Sequence, residues 1–128
     1  MTIFRNISPE FIDGRGMITK ILDDGKTAIR SVLLITSKKG SVRADHYHKK
    51  DSHYSYLFSG KMEYSEKPVE GGEIQTAIVE AGDMVFTPSM SFHRMKFLED
   101  SVFLAFATES RSQKEYEGDT VRISWEPQ

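Results

Sequence analysis

The residues best suited to chemistry in this chain are its four histidines. Three stand close together, His46, His48 and His53, in the stretch Asp45-His46-Tyr-His48-Lys-Lys-Asp-Ser-His53. The fourth, His93, closes the later stretch Gly82-Asp-Met-Val-Phe-Thr-Pro88-Ser-Met-Ser-Phe-His93. Neutral imidazole is the commonest metal ligand and also the side chain that moves protons near neutral pH. On an extended strand His46 and His48 point to one face and Tyr47 to the other. Residues 49–52 can reverse the chain and set His53 on the neighbouring strand beside the pair, and His93 opens a later strand behind Pro88. A solitary histidine on a strand is more often a hydrogen-bonded core or rim residue than a ligand. Four at this spacing, with none left over, predict convergence on one divalent transition ion.

The elements that must carry these side chains read as short strands. Alternating or apolar segments cover 16–22, 28–36, 42–48, 53–58, 61–65, 74–79, 84–87, 93–97, 102–108 and 121–125. Turn signals separate them: Asp24-Gly25, Lys39-Gly40, Ser59-Gly60, Gly71-Gly72, Gly82-Asp83 and Glu99-Asp100. No segment sustains a helical apolar period, and 109–119 reads as a charged surface loop or short helix. Many short strands at this spacing predict an all-β sandwich or barrel.

Bulk properties narrow the chemistry. The 128 residues predict one domain, 1–128, with a core that needs no staples. A net charge of −2 offers no electrostatic reason for nucleic acid or an anionic membrane as partner. The absence of cysteine excludes disulfides and thiol nucleophiles. The longest apolar runs, 32–35 and 102–107, are far too short to span a bilayer as a helix. A cytoplasmic protein with a small-molecule ligand is the expectation.

The two histidine segments resemble the two motifs of the cupin superfamily. The first motif (Gly, five residues, His, one, His, three or four, Glu, six, Gly) is matched by Gly40, His46, His48, His53 and Gly60, with His53 in the Glu place. The second (Gly, five, Pro, one, Gly, two, His, three, Asn) is matched by Gly82, Pro88 and His93, with Met90 and Phe97 in the Gly and Asn places. The resemblance covers residues 40–97 with intact spacing. It implies a double-stranded β-helix, the cupin jelly-roll barrel. It also implies a metal site of His46, His48, His53 and His93, a neutral four-histidine variant of the usual three-His, one-Glu shell. Such a shell suits Mn, Fe, Ni, Cu or Zn as divalent ions.

A narrower resemblance runs through Arg43-Ala-Asp-His46-Tyr-His48-Lys49, which is similar to the Arg-x-x-His-x-His-Lys signature of cupin sugar-nucleotide 3,4-ketoisomerases. Asp13-Gly-Arg15-Gly16 is similar to a stretch of those enzymes and of dTDP-4-keto-6-deoxyhexose 3,5-epimerases. By this resemblance His46 and His48 are a catalytic acid–base pair that moves a proton α to a sugar ketone without metal. Arg43 and Lys49, with Lys50, then meet a nucleotide diphosphate; for the two lysines a solvated turn is the favoured reading, given the usual exposure of lysine. Three functions stand beside a metal-binding cupin acting on a small polar metabolite in a carbohydrate or nucleotide-sugar context. They are the metal-independent ketoisomerase or epimerase, a metal-dependent dioxygenase, and a non-catalytic ligand-binding or sensor module.

Around the motifs, Tyr54 and Tyr56 should face away from His53 into a packing contact, with Tyr64 nearby. Met84, Met90 and Met95 read as core filling, and Phe86, Phe92 and Phe97 as the apolar walls of the pocket. Glu63 and Asp45 are carboxylates near the site. Cupins commonly pair through edge strands and exposed apolar faces, so the resemblance implies a homodimer. Ile3-Phe4 and the segment Val121-Arg-Ile123-Ser-Trp125 are the expected interface strands.

Overall fold

The computed structural model describes residues 1–123. Its strands are β1 (Thr2–Phe4), β2 (Phe11–Asp13), β3 (Gly16–Ile18), β4 (Ser31–Ser37), β5 (Val42–His48) and β6 (His53–Ser59). They continue with β7 (Lys61–Pro68), β8 (Gln75–Glu80), β9 (Met84–Thr87), β10 (Ser91–Phe97) and β11 (Ser101–Ala107). Helix α1 (Gln113–Asp119) then leads into β12 (Thr120–Arg122). The strands form two five-stranded antiparallel sheets, β1-β9-β6-β11-β4 and β12-β5-β10-β7-β8, with β2 and β3 as a separate hairpin. This is the double-stranded β-helix that the sequence motifs imply.

Alternation builds the core. One side of each strand meets the facing sheet, where Leu57, Met62, Tyr64, Val79, Val85, Met95, Phe97, Phe103 and Ala105 are buried together. Phe97 and Phe103 stack across the middle with ring centroids 5.7 Å apart. Met95 fills the core as expected, and Met84 is buried as well, on the outer side of β9 where it pairs with Phe4 and Tyr56, but Met90 is not buried. It lies 42% exposed in the turn before β10 with φ 58°, because it occupies the motif position that normally holds glycine.

The outer faces of the two sheets differ in chemistry. On β12-β5-β10-β7-β8 the outward positions include Glu63, Lys67, Arg94 and Lys96, of which Glu63 and Lys96 stand directly opposite each other across β7 and β10. On the other sheet, cross-strand pairing sets two outward rows: Val32-Phe106-Tyr54-Phe86-Thr2 and Leu34-Leu104-Tyr56-Met84-Phe4. Neither row holds a charged side chain, and Val32 and Leu34 are 61% and 69% exposed. Tyr54 and Tyr56 thus face away from the barrel interior, as their alternation with His53 predicts.

Several elements differ from the sequence reading. The expected strand 16–22 stops at Ile18, because it pairs only with the three residues of β2. β2 is not among the expected strands. The N-terminal segment Ile3-Phe4 does form a strand, but within the chain it completes the edge beside β9. β12 likewise pairs with β5 of its own chain, and Trp125 lies outside the described residues.

Candidate functional site

Strand β5 delivers His46 and His48, and its local irregularity aims them. Ala44 and Asp45 both take positive φ, 75° and 56°, and the register against β10 shifts at His93/Arg94. This is the signature of a β-bulge, which bends a strand and re-aims its side chains. The Asp45 carboxylate holds the bulge from outside through two hydrogen bonds donated by the Arg94 guanidinium. Beyond it, His93 of β10 stands directly opposite His46. Tyr47 points outward and packs edge-on against Phe92, 5.0 Å between ring centroids.

His53 arrives differently from the expectation. Residues 49–52 do not make a hairpin to a hydrogen-bonded neighbour; they carry the chain from one sheet to the facing one. His53 therefore approaches the other three across the barrel interior. All four imidazoles are buried. Ring centroids are 4.6 Å apart for His46 and His48, 4.7 Å for His46 and His93, 5.2 Å for His53 and His93, and 5.8 Å for His48 and His53. Ligand atoms of His46, His48 and His93 all lie within 4.8 Å of one another, as do those of His48, Asp51 and His53.

Hydrogen bonds fix the tautomers of three rings. His93 Nδ1 lies 3.1 Å from the Ser91 carbonyl, which can only accept, so Nδ1 carries the proton. His53 Nδ1 lies 3.1 Å from Asp51 Oδ2 and donates to that carboxylate. The Thr120 hydroxyl donates to the Tyr116 carbonyl and so accepts from His48 Nδ1 at 3.2 Å. Each Nε2 then keeps its lone pair, and His48 Nε2 is buried with no hydrogen-bond partner among the described residues. Anchored Nδ1 atoms behind free Nε2 lone pairs are the outer-shell arrangement of metal-ligating histidines.

Burial depresses the histidines. Loss of solvent, then the neighbouring His48 and His53, brings His46 down to about 3. Burial, then His53 and Arg111, brings His48 to about 4. Burial also lowers His53 and carries His93 well below its ordinary value. All four rings are neutral at pH 7, the state a metal ligand requires. Burial acts to raise Asp51, but the bond to His53 and the Arg111 charge hold it below the usual carboxylate range.

The histidines line a cavity of about 140 Å³. Its apolar wall is Ile35, Met95, Phe103 and Ala105, and its polar wall adds Arg43, Ser55, Arg111 and Tyr116. Phe86, Phe92 and Phe97 are not wall residues: Phe86 and Phe92 face outward, and Phe97 belongs to the core below. Phe103, from the facing sheet, takes their part. Arg43 reaches the cavity while its guanidinium donates to Ser37 Oγ and the Thr36 carbonyl. Lys49 borders a separate surface groove with Lys50 and Asp119. Four residues of the site carry no sequence motif: Asp51, Arg111, Tyr116 and Thr120. Asp51 takes bonds from the backbone amides of Thr108 and Glu109 and from Arg111 Nη2, which ties the loop after β11 to His53.

No protein-family profile matches the chain, and no curated protein does. Among solved structures it is similar to a 3,4-ketoisomerase from Helicobacter canadensis, with a TM-score of 0.77 and 18% identity over 95% of this chain and 90% of that one. It is also similar to a double mutant of the QdtA 3,4-ketoisomerase from Thermoanaerobacterium thermosaccharolyticum in complex with TDP (TM-score 0.74, 23% identity, 95% and 86% covered). A third is a dTDP-4-dehydrorhamnose 3,5-epimerase from Sulfolobus tokodaii (TM-score 0.74, 20% identity, 90% and 73% covered). The fold is the RmlC-like cupin jelly roll.

Proposed function

We propose that this chain modifies a nucleotide sugar or a related small polar carbohydrate in the histidine cavity, with a divalent transition metal held by His46, His48, His93 and His53. The observation that carries the metal is the set of three Nδ1-anchored imidazoles, with His48 Nε2 buried and unpartnered among the described residues. An uncompensated buried lone pair is costly unless something coordinates it. Ligands about 2.1 Å from one ion lie at most about 4.2 Å apart, so the donor atoms of His46, His48 and His93, within 4.8 Å of one another, need to close only slightly, and His53 must swing in from the facing sheet to join them. When bound, the ion supplies a Lewis acid that polarises a carbonyl or hydroxyl oxygen. Ile35, Met95 and Phe103 give the cavity an apolar wall, and the Tyr116 ring stands 5.4 Å from that of His48. The carbohydrate context is supported by what the similar structures are: ketoisomerases and an epimerase of sugar nucleotides.

The test is elemental analysis of purified protein and of its His→Ala variants, together with thermal shifts by dTDP- and UDP-sugars. Bound Mn, Fe, Ni, Cu or Zn that disappears from the variants supports the reading. Protein that neither carries nor takes up any of these metals sinks it.

A second reading keeps the sugar nucleotide and omits the metal. His46 and His48 then act as the acid–base pair, and the free Nε2 of His48 is the specific observation in its favour. A lone pair bonded to metal cannot also accept a proton, so turnover in chelator decides between the two.

The outward face of β1-β9-β6-β11-β4 supports a homodimer. Five strands about 4.8 Å apart and seven residues of about 3.4 Å give a face on the order of 500 Å². Two copies then bury roughly 1,000 Å², the threshold of a specific interface. A face without charge strands none when it meets a face of its own kind, so the occupant is a second copy, packed sheet on sheet.

A further inference from the structure

The wall of the histidine cavity has an uneven charge. Arg43 and Arg111 are its cationic side chains, and no carboxylate among the described residues lines it. The acids nearest by sequence are turned elsewhere: Asp45 is engaged outside the barrel by Arg94, and Asp51 sits behind His53 at 3% exposure. Asp51 takes one bond from Arg111, 3.1 Å from Nη2, which leaves the rest of that guanidinium unspent. Arg111 Nε is buried with no hydrogen-bond partner among the described residues, as are His48 Nε2 and Ser55 Oγ of the same cavity. The Arg43 guanidinium bonds neutral oxygens, those of Ser37 and Thr36. Tyr116 stacks over Arg111, 5.0 Å from the guanidinium carbon to the ring centroid, and fixes its plane. The ion pair with Asp51 offsets the charge of Arg111 but leaves its Nε unpartnered, and among the described residues no carboxylate pairs with Arg43.

We infer that the ligand of this cavity carries its own anionic oxygen group, a carboxylate or a phosphate, which Arg111 and Arg43 receive beside the histidines. This deepens the proposed function and rests on it: the molecule handled is an acidic or phosphorylated sugar unit whose charge enters the cavity, rather than a neutral sugar tethered only through a distant diphosphate. A guanidinium presents several donors in a plane and binds either oxyanion through paired hydrogen bonds. At Arg111, whose Nε is buried, such bonds discriminate against a neutral analogue, which would leave the donor unpaired; Arg43 is exposed and adds charge at the cavity's rim.

Calorimetric titration of the purified protein with D-glucose, D-glucuronate, D-glucose 1-phosphate and dTDP tests this. Glucuronate or glucose 1-phosphate should bind at least about tenfold more tightly than glucose and weaken with added salt. Whichever of the two binds identifies the anion as carboxylate or phosphate. Arg43→Gln should lower that affinity by on the order of tenfold while the melting curve stays intact, since Arg43 supports no buried charge. Arg111→Lys, which keeps the charge, should retain more affinity than Arg111→Gln. Glucose binding as tightly as either acid overturns the inference, as does an unchanged affinity in folded Arg43→Gln and Arg111→Gln. Failure of both acids to bind also overturns it, even if dTDP binds. Metal content measured on the same samples reports on the proposed function separately.

Discussion

Asp51 Oδ2 lies 3.1 Å from His53 Nδ1 and 3.1 Å from Arg111 Nη2, so one carboxylate oxygen orients a candidate ligand and neutralises a cavity cation. The other oxygen accepts from the backbone amides of Thr108 and Glu109. Asp51 is thereby a positioning residue for the whole facing side of the site.

Asp51→Asn should leave a folded protein with a misdirected His53. The amide still accepts at one oxygen but no longer balances Arg111 or favours the Nδ1–H tautomer. Metal affinity should fall by roughly 10- to 100-fold, the usual cost of removing an outer-shell carboxylate. Competition with a metallochromic chelator measures it. An affinity equal to that of the parent protein would exclude His53 and its carboxylate from the metal site.

The pH dependence of stability has a definite sign. His46 and His48 stand near 3 and 4 in the folded chain against 6.5 when exposed, so between these values the unfolded chain binds more protons. Stability is therefore full above about pH 6.5 and is lost as pH falls toward 4 and below. Urea unfolding at pH 7.5, 6, 5 and 4.5 should show this decline, and His46→Gln/His48→Gln should flatten it. A decline equally steep in the double variant would place its origin elsewhere.

Which side chains share a face of one strand is legible in the sequence, and which strands lie side by side is not. Strands 42–48 and 84–87 keep the bounds their alternation implies, and His46, His48 and Tyr47 take the faces that a period of two assigns. The route of His53 departs from its expectation because residues 49–52 have the look of a hairpin turn yet cross between sheets. Local sequence does not say which strands hydrogen-bond. Arg111 and Thr120 reach the site from 60 and more positions away, through the pairing of β12 with β5 and the loop after β11. The positive φ of Ala44 and Asp45 leaves no trace in the sequence either, since neither residue is a glycine. The charge-free rows on the outer sheet are implicit in the strand patterns, but only register lines them up.

If that face meets a second copy, Leu34→Glu should break the pair. Leu34 is 69% exposed, so a glutamate there costs the folded chain little. Against a facing apolar sheet it would bury an unpaired charge. Light scattering after size exclusion should report twice the 14.6 kDa chain mass for the parent and a single chain for the variant. A monomeric parent would rule out the interface.

Gly60 closes the turn between β6 and β7 at φ 97°, and its missing side chain makes room for the β11 start. A Cβ there would lie 2.6 Å from the Asp100 carbonyl and 2.7 Å from Ser101 Cα, and would strike the Ser101 hydroxyl. The backbone atoms cannot step aside without disturbing the Ser101↔Ser37 pairing of β11 with β4. Gly60→Ala should cost on the order of 2–4 kcal/mol, combining left-handed strain with the clash. Denaturant midpoints provide the measurement, and a loss under about 1 kcal/mol would show that the turn relaxes.

Met90 should respond in the opposite direction. It holds φ 58°, its amide donates to the His48 carbonyl at 2.7 Å, and its carbonyl accepts from Val69. The chain thus keeps the left-handed turn of the motif glycine without the glycine. For a residue with a Cβ that conformation costs about 1–2 kcal/mol, whereas glycine loses roughly 0.5–1 kcal/mol more backbone entropy on folding. The side chain is half exposed, so little packing is forfeited. Met90→Gly should therefore stabilise the protein by about 0.5–1 kcal/mol, and Met90→Val should destabilise it because a β-branched residue tolerates positive φ poorly. Because the Met90 amide bonds the backbone of His48, the glycine variant should also leave metal uptake unchanged. A Met90→Gly protein less stable than its parent would mean that the Met90 side chain is covered in the working assembly.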